Sequence, residues 1–219
     1  MAETIPIWRY QQGQGLQSDR DELAVEEPLE IRVKNRAVSV TMRTPGHDEE
    51  LAVGFLLTEG IVERRSDVLR IEPCALDRGG NVMNVVLSAN AGVDFDRLTR
   101  HVFASSSCGL CGKATIEAIH QRLDPVESDA QVDAEVLLSL PDRLRSAQQN
   151  FDRTGGLHAA GLFTLEGEPL VVREDVGRHN AVDKVLGHGF LREMLPFDRH
   201  VLMVSGRASF EICLLYTSP

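Results

Sequence analysis

Apolar and polar positions alternate over Leu29-Glu-Ile-Arg-Val33 and again over Val38-Ser-Val-Thr-Met42, separated by Lys34-Asn-Arg-Ala37. Strict alternation sends successive side chains to opposite faces, so the two runs predict an antiparallel hairpin with one wet face. The period changes after Pro45-Gly-His-Asp48, which reads as a turn with Asp48 as an N-cap carboxylate. From Glu49 to Glu59 the residues Leu51, Phe55 and Leu56 share one helical face, and Gly60 supplies the stop. Val82 to Leu87 predicts a strand after the Gly79-Gly-Asn81 turn, and Phe95 to Val102 a short helix. A loop of small residues from Ser105 to Gly112 opens a further helix over Lys113 to Leu123, which Pro125 closes. Helical spacing resumes from Pro141 to Phe151. Two strands, Leu157 to Leu165 and Pro169 to Arg173, flank Glu166-Gly167; a helix follows near His179 to Leu186, and Val201 to Val204 predicts a short buried strand. The first twenty-odd residues, with Gln11-Gln-Gly-Gln-Gly15, carry no such pattern and predict a loose arm. The fold class is therefore α/β: an N-terminal hairpin-and-helix domain over residues 1–124 and an α/β layer domain over 125–219. The boundary falls in the acidic, apolar-poor stretch Asp124 to Val132.

Composition narrows the functional classes. A chain of 219 residues with 42% hydrophobic positions can bury a sizeable core. Its formal net charge of -10 argues against a nonspecific nucleic-acid binder, which needs a basic surface to displace phosphate counterions. No apolar run approaches the roughly eighteen residues of a spanning helix, and Met1 to Tyr10 lacks the pattern of a signal peptide, so no membrane contact and a cytoplasmic location are expected. Four cysteines in a chain this long, only two of them close together, make no disulfide framework.

The close pair is Cys108-Gly-Leu-Cys111. Sulfur chemistry runs through the thiolate, and a Cys-X-X-Cys at a helix entrance puts its first sulfur near unpaired N–H groups and the positive end of the helix dipole. Gly109 and Gly112 leave room for a bulky approaching group, Ser105 to Ser107 offer hydroxyls, and Lys113 adds positive charge. Four readings of the pair are open: tight-turn packing, structural zinc, a dithiol oxidoreductase, and a persulfide carrier. Zinc would need ligands beyond these two, and Cys74 and Cys213 are isolated, which leaves His158 or His179 to complete a set. The oxidoreductase reading lacks an apolar strand leading into Cys108. The motif alone does not rank the carrier first.

A second constellation lies downstream. Thr154-Gly-Gly-Leu-His-Ala-Ala-Gly161 and Arg173-Glu-Asp-Val-Gly-Arg-His-Asn-Ala-Val-Asp-Lys184 place glycines where backbone can approach a ligand closely. In the second of these a strand ends, the chain turns at Gly177 and a helix begins, so Arg178, His179 and Asn180 stand at a helix start, where anions bind well. Ser205-Gly-Arg207 repeats the arrangement after the next strand, with an arginine able to grip phosphate. Together these predict a ligand crevice beyond the carboxyl ends of strands. The plainer alternative is that Glu174 and Asp175 cap the helix, Arg178 and Lys184 solvate it, and His158 is a satisfied half-buried histidine. No Walker A motif, dinucleotide fingerprint or Gly-X-Ser-X-Gly elbow is present.

Taken together, Thr44-Pro-Gly-His-Asp-Glu-Glu-Leu-Ala-Val-Gly-Phe-Leu-Leu-Thr-Glu-Gly-Ile61, Ser105-Ser-Ser-Cys-Gly-Leu-Cys-Gly-Lys113, Thr154-Gly-Gly-Leu-His158, Glu174 to Lys184 and Ser205-Gly-Arg207 closely resemble the formate dehydrogenase accessory sulfurtransferase (FdhD) family, over roughly residues 25 to 212. The resemblance implies a cytoplasmic sulfurtransferase that accepts sulfur from a cysteine desulfurase. It would deliver that sulfur to the bis-molybdopterin guanine dinucleotide form of the molybdenum cofactor before the cofactor enters formate dehydrogenase. On the same footing Cys108 carries a persulfide and Cys111 assists. The bound cofactor, a substrate rather than a resident group, has its anions at Gly155, Gly156, His158, Gly177, Arg178, His179, Asn180, Gly206 and Arg207, and no permanently bound metal is expected. The family's larger domain is similar to the cytidine deaminase fold and forms homodimers. This chain lacks His-X-Glu and Pro-Cys-X-X-Cys, so deaminase zinc chemistry does not carry over. After Glu211-Ile212 the run Cys213-Leu-Leu-Tyr-Thr-Ser-Pro219 departs from the family, so the second domain is expected to be incomplete. The competing reading from another class is a noncatalytic, zinc-stabilised module that chaperones the cofactor.

Overall fold

A computed structural model of the chain describes residues 2–75, 77, 79–89, 91 and 128–208. The predicted helix at Phe95 to Val102, the Cys108 to Cys111 loop with its following helix, residues 124–127 of the proposed domain boundary and Cys213 lie outside the described residues. Among the described residues the architecture is mixed α/β, as expected. In chain order the elements are β1 (Ala2–Gln11), β2 (Gly15–Ala24), β3 (Glu27–Val33), β4 (Arg36–Arg43), α1 (Asp48–Thr58), β5 (Val68–Pro73), β6 (Val82–Leu87), α2 (Ala134–Ser146), α3 (Gln149–Thr154), β7 (His158–Phe163), β8 (Pro169–Asp175), α4 (Arg178–Leu191) and β9 (Val201–Val204). No helix among them is long and apolar enough to cross a membrane.

The alternating runs form the expected hairpin, β3 with β4, at the edge of a four-stranded sheet ordered β4-β3-β6-β5. Its strands β3 and β6 run parallel. The inward set Leu29, Ile31 and Val33 meets Val85 and Leu87 from β6 and Leu51, Ala52, Val53 and Leu56 from α1 in one core. A second sheet, ordered β8-β7-β9, is antiparallel throughout. One group of its side chains packs with α2 through Leu140, Leu144, Ala159 and Phe163. Another packs with α4 through Ala160, Leu162, Val171, Ala181, Val182 and Val185.

The two sheets are joined through α1 and α4. Phe190 of α4 belongs to the first core, and Leu57 of α1 packs against the second. The helices touch backbone to backbone: a Cβ on Gly54 would stand 1.8 Å from the Asp183 carbonyl oxygen, and one on Gly187 would stand 1.9 Å from that of Glu50. Contact this close requires glycine at both positions, because even one methyl would force the helices apart.

Four local expectations are corrected. The first twenty-odd residues are not a loose arm but the hairpin β1–β2, whose turn is set by Gly13 and Gly15 at positive φ. Cross-strand ion pairs, Arg9 Nε to Asp19 Oδ2 at 3.0 Å among them, stand where an apolar pattern would otherwise signal a strand. Asp48 is not the N-cap of α1; His47 takes that position in the left-handed region. The Asp48 carboxylate instead receives two 3.0 Å hydrogen bonds from the buried Arg43 guanidinium. The helix predicted from Pro141 to Phe151 begins earlier, at Ala134, where the Asp133 side chain accepts from the Glu135 N–H. Pro141 sits inside α2 on its exposed side, while Leu140 and Leu144 fix the buried side, and α3 is separate. Finally, β9 is half-buried rather than buried.

Candidate functional site

Antiparallel pairing decides which chain segments can share a ligand. Because β7 runs against both β8 and β9, its first residue, His158, lies at the same edge as the last residues of its neighbours. His158 is the register partner of Asp175. Ser205 fastens the end of β9 there, its N–H donating to Ala159 O at 2.9 Å and its Oγ accepting from Ala159 N–H at 2.8 Å. The predicted crevice is therefore an edge formed by two strand ends and one strand beginning, a correction to a crevice of carboxyl ends alone.

Gly206 packs directly on this edge. A Cβ there would stand 3.2 Å from His158 Nδ1 and 3.6 Å from the Cβ of Arg178, so the three residues are in contact. Gly177 is the N-cap of α4, and a Cβ on it would reach within 2.9 Å of Asn180 Nδ2. Arg178 and His179 follow in the first turn, both half-buried, and Arg207 is exposed. Burial, reinforced by the neighbouring Arg178 charge, pulls the His179 imidazole down to about 4, so the ring is neutral near neutral pH. The edge thus brings His158 and Gly206 against Arg178 at the start of α4, where backbone N–H groups and a guanidinium make a donor-rich set that suits an anionic ligand.

Asn180 faces inward. Its Nδ2 donates to Met42 O at 2.8 Å and to Asp175 Oδ1 at 2.9 Å, and its Oδ1 accepts from Thr41 Oγ1 at 3.1 Å. Asp175 is fully buried, accepts from Gly177 N–H at 2.8 Å and from Thr44 N–H at 3.2 Å, and lies 2.7 Å from Lys184 Nζ. Lys184 also donates to Thr44 O at 2.8 Å. These residues form a frame beneath the start of α4 that ties it to the segment Thr41 to Thr44. Lys184 does not solvate the helix, being 1% exposed. Glu174 caps α3 rather than α4, accepting from Asn150 N–H at 3.0 Å and Phe151 N–H at 2.8 Å.

Gly155 and Gly156 precede His158 in the turn between α3 and β7. Gly155 closes α3 with φ 66, and Gly156 lies against Ala24 at the root of the β1–β2 hairpin. Cys108 and Cys111 lie outside the described residues.

Sequence reasoning missed one cluster. Arg173 grips Glu50 through Nε at 2.5 Å and Nη2 at 2.8 Å, His188 Nδ1 lies 2.9 Å from Glu50 Oε1, and His47 Nδ1 lies 3.5 Å from Glu50 Oε2. Burial works to raise the Glu50 carboxyl, but Arg173 and His188 outweigh it and hold it below the ordinary carboxylate range. Burial, and then the Arg173 charge, lowers His47. A cavity of about 400 Å³ adjoins the cluster, lined by Thr44, His47, Asn150, Arg173, Glu174 and Lys184 among others. Only the i,i+3 pair His47 and Glu50 was available as a local signal; Arg173 is 123 residues from Glu50.

Comparison with known proteins follows the same segments. A family model described as the FdhD/NarQ family matches residues 24–215. The chain is 55% identical over 197 residues to a protein of Mycolicibacterium paratuberculosis named sulfur carrier protein FdhD, covering 87% of this chain and 72% of that one. A protein of Mycobacterium tuberculosis with the same name is 52% identical over 200 residues, with the same coverage. One of Thermoplasma volcanium, also of that name, is 44% identical over 200 residues, covering 88% of this chain and 71% of its own. The crystal structure of a formate dehydrogenase accessory protein from Desulfotalea psychrophila shares the fold, with a TM-score of 0.74 at 22% identity, over 97% of this chain and 77% of that chain.

Proposed function

The chain belongs to the FdhD/NarQ family, and we propose on that footing that it is a cytoplasmic sulfur carrier serving formate dehydrogenase maturation. Cys108 accepts sulfane sulfur from a cysteine desulfurase and passes it to the molybdenum cofactor, in its bis-molybdopterin guanine dinucleotide form, before that cofactor enters the enzyme. The observation that carries the reading is 55% identity, over most of the chain, to a protein named sulfur carrier protein FdhD.

Loading exchanges one sulfur–sulfur bond for another. The Cys108 thiolate attacks the terminal sulfur of the desulfurase persulfide, a new bond forms on Cys108, and the desulfurase cysteine leaves as thiolate. Delivery breaks the Cys108 sulfur–sulfur bond: the outer sulfur passes to the reduced cofactor, which supplies the two electrons that make it sulfide, and Cys108 leaves as thiolate, with Cys111 assisting. The cofactor is the substrate of this transfer, and its phosphates require donors without competing carboxylates. Arg178, Arg207, His158, His179, the glycines Gly177 and Gly206 and the turn Gly155-Gly156 are the positions proposed to meet them. Asn180 serves that surface from below, by holding the start of α4 to Asp175 and Met42.

Incubation with a cysteine desulfurase and cysteine, followed by peptide mass spectrometry, tests the assignment. One added sulfur atom is expected on the peptide containing Cys108, sensitive to reductant. It should be absent from Cys108→Ala, whose circular dichroism and unfolding midpoint should be those of the parent. Loading that survives the substitution would refute the role of Cys108, and stoichiometric zinc bound through Cys108 and Cys111 would replace the carrier by a zinc-stabilised module.

A further inference from the structure

The cavity of about 400 Å³ beside Glu50 has no part in the reading above. It opens along β8, which is an edge strand among the described residues, between the α2–α3 junction and the turn from Thr44 to His47. The His158 and Gly206 contact lies on the β7 and β9 side of that sheet and supplies no residue to the cavity lining. Its size falls within the roughly 300–1,000 Å³ of small-molecule sites, which pair apolar walls with a few placed polar groups. Here Pro45, Ala147 and Val172 are the apolar walls. Exposed His47 stands at the mouth, and buried Lys184 forms the floor.

Charge decides what fits. Arg173 and Lys184 line the cavity, whereas the carboxylates paired with them, Glu50 and Asp175, do not. Glu174 is the one acidic side chain in the lining among the described residues, and both its oxygens already accept from backbone N–H groups of α3. Each cation keeps a donor in hand. Arg173 Nη1 gives one of its two N–H groups to Val172 O at 3.0 Å, and Lys184 gives two of its three to Thr44 O and Asp175. The field at the mouth has the same sign: beyond the effect of burial, Arg173 lowers His47 more than Glu50 raises it, and Lys184 more than Asp48. We propose that the cavity binds an organic carboxylate, with its single charge at the Arg173 and Lys184 end and its apolar body against Pro45, Ala147 and Val172. A phosphate group, at about -1.5 to -2, exceeds what two cations already balanced from behind can match. Because Thr44 and Lys184 also hold the start of α4, the occupant braces that helix from the far side of the frame. None of this rests on the sulfur-carrier reading.

Calorimetric titration of the full chain with acetate, benzoate and 3-phenylpropionate, alongside amide nuclear magnetic resonance spectra, tests the assignment. Affinity should rise along the series as the apolar body grows, to a dissociation constant of roughly 0.1–1 mM for 3-phenylpropionate. Its neutral amide should bind at least about tenfold more weakly, and phenyl phosphate no more tightly. Amide shifts should appear at Gly46, His47, Gln149 and Asn150 and not at Gly206 or Arg207. Gln149→Glu, a change at an exposed side chain of the rim, should raise the dissociation constant at least about threefold through charge. Ala147→Phe, which fills the cavity from its wall, should abolish binding. Both variants should still load sulfur on Cys108. Absence of binding by all three carboxylates up to about 10 mM overturns the proposal. So does binding that is indifferent to both substitutions, or equal affinity for the amide, or tighter binding of phenyl phosphate.

Discussion

The frame beneath α4 and the hairpin β1–β2 are both held by opposite charges, but burial makes these two different kinds of structure. Under α4, Asp175 and Lys184 are out of water altogether, and every hydrogen bond they make is to backbone or to another member of the frame. On the hairpin, Arg9 with Asp19 and Glu22 with Arg153 remain solvated. In the first place the pair cannot dissolve without leaving an uncompensated charge in a low dielectric. In the second, water replaces whatever is lost. A buried pair thus fixes a geometry, here the start of α4 against Thr41 to Thr44, whereas a solvated one merely favours it.

The sharpest way to break that contrast is Lys184→Ala. It strands the Asp175 carboxylate, and loss of one partner of a buried pair costs about 3–5 kcal/mol, a large part of a typical domain's stability. Urea unfolding should show a much lower midpoint at pH 7. Restoring stability by the further change Asp175→Asn would show that the stranded charge, and not the lost packing of the lysine stem, is the cause.

How far this was readable beforehand depends on how local the cause is. The β3–β4 hairpin, β6 at Val82 to Leu87 and β9 at Val201 to Val204 stand where the pattern puts them, since alternation and flanking turn residues are properties of neighbours in the chain. The hairpin β1–β2 was not readable, because Gln17 to Glu22 is polar on both faces and its stability comes from pairing to Thr4 through Arg9. At the site, the glycine-bearing turns were legible and the inward turning of Asn180 and Lys184 was not. Arg178, His179, Asn180 and Lys184 all lie on one helix, and Thr41, Met42 and Thr44, some 140 residues away, help with Asp175 to bury Asn180 and Lys184. The same holds for Glu50 with Arg173.

That cluster lies between the two extremes, half-shielded, and pH sharpens its place. The Glu50 carboxyl is held below its ordinary value of 4.5 in the fold, so its stabilisation is fully present above that value and is lost as pH falls through the lower, folded one. Glu50→Gln should therefore be less stable than the parent by about 1–3 kcal/mol at pH 7, the usual range for a hydrogen-bonded charged group. The two unfolding curves should converge on acidification into the range where the parent's Glu50 itself is protonated. A gap that persists undiminished there would assign the effect to packing.

The smallest effect is expected at the hairpin root. Arg153→Ala removes a guanidinium that lowers the Glu22 carboxyl by hydrogen bonding, yet both groups are bathed in solvent and salt screens what remains. The cooperative unfolding midpoint should not move measurably. What should change is the local opening of Ala2–Ala24, because among the described residues β1 and β2 have few anchors apart from α3. Amide hydrogen exchange should quicken across β1 and β2 and stay unchanged in β7 and α4. If it quickens across the second sheet as well, the hairpin is part of the same cooperative unit as the frame, and the division between a fixed interior and a merely favoured appendage fails.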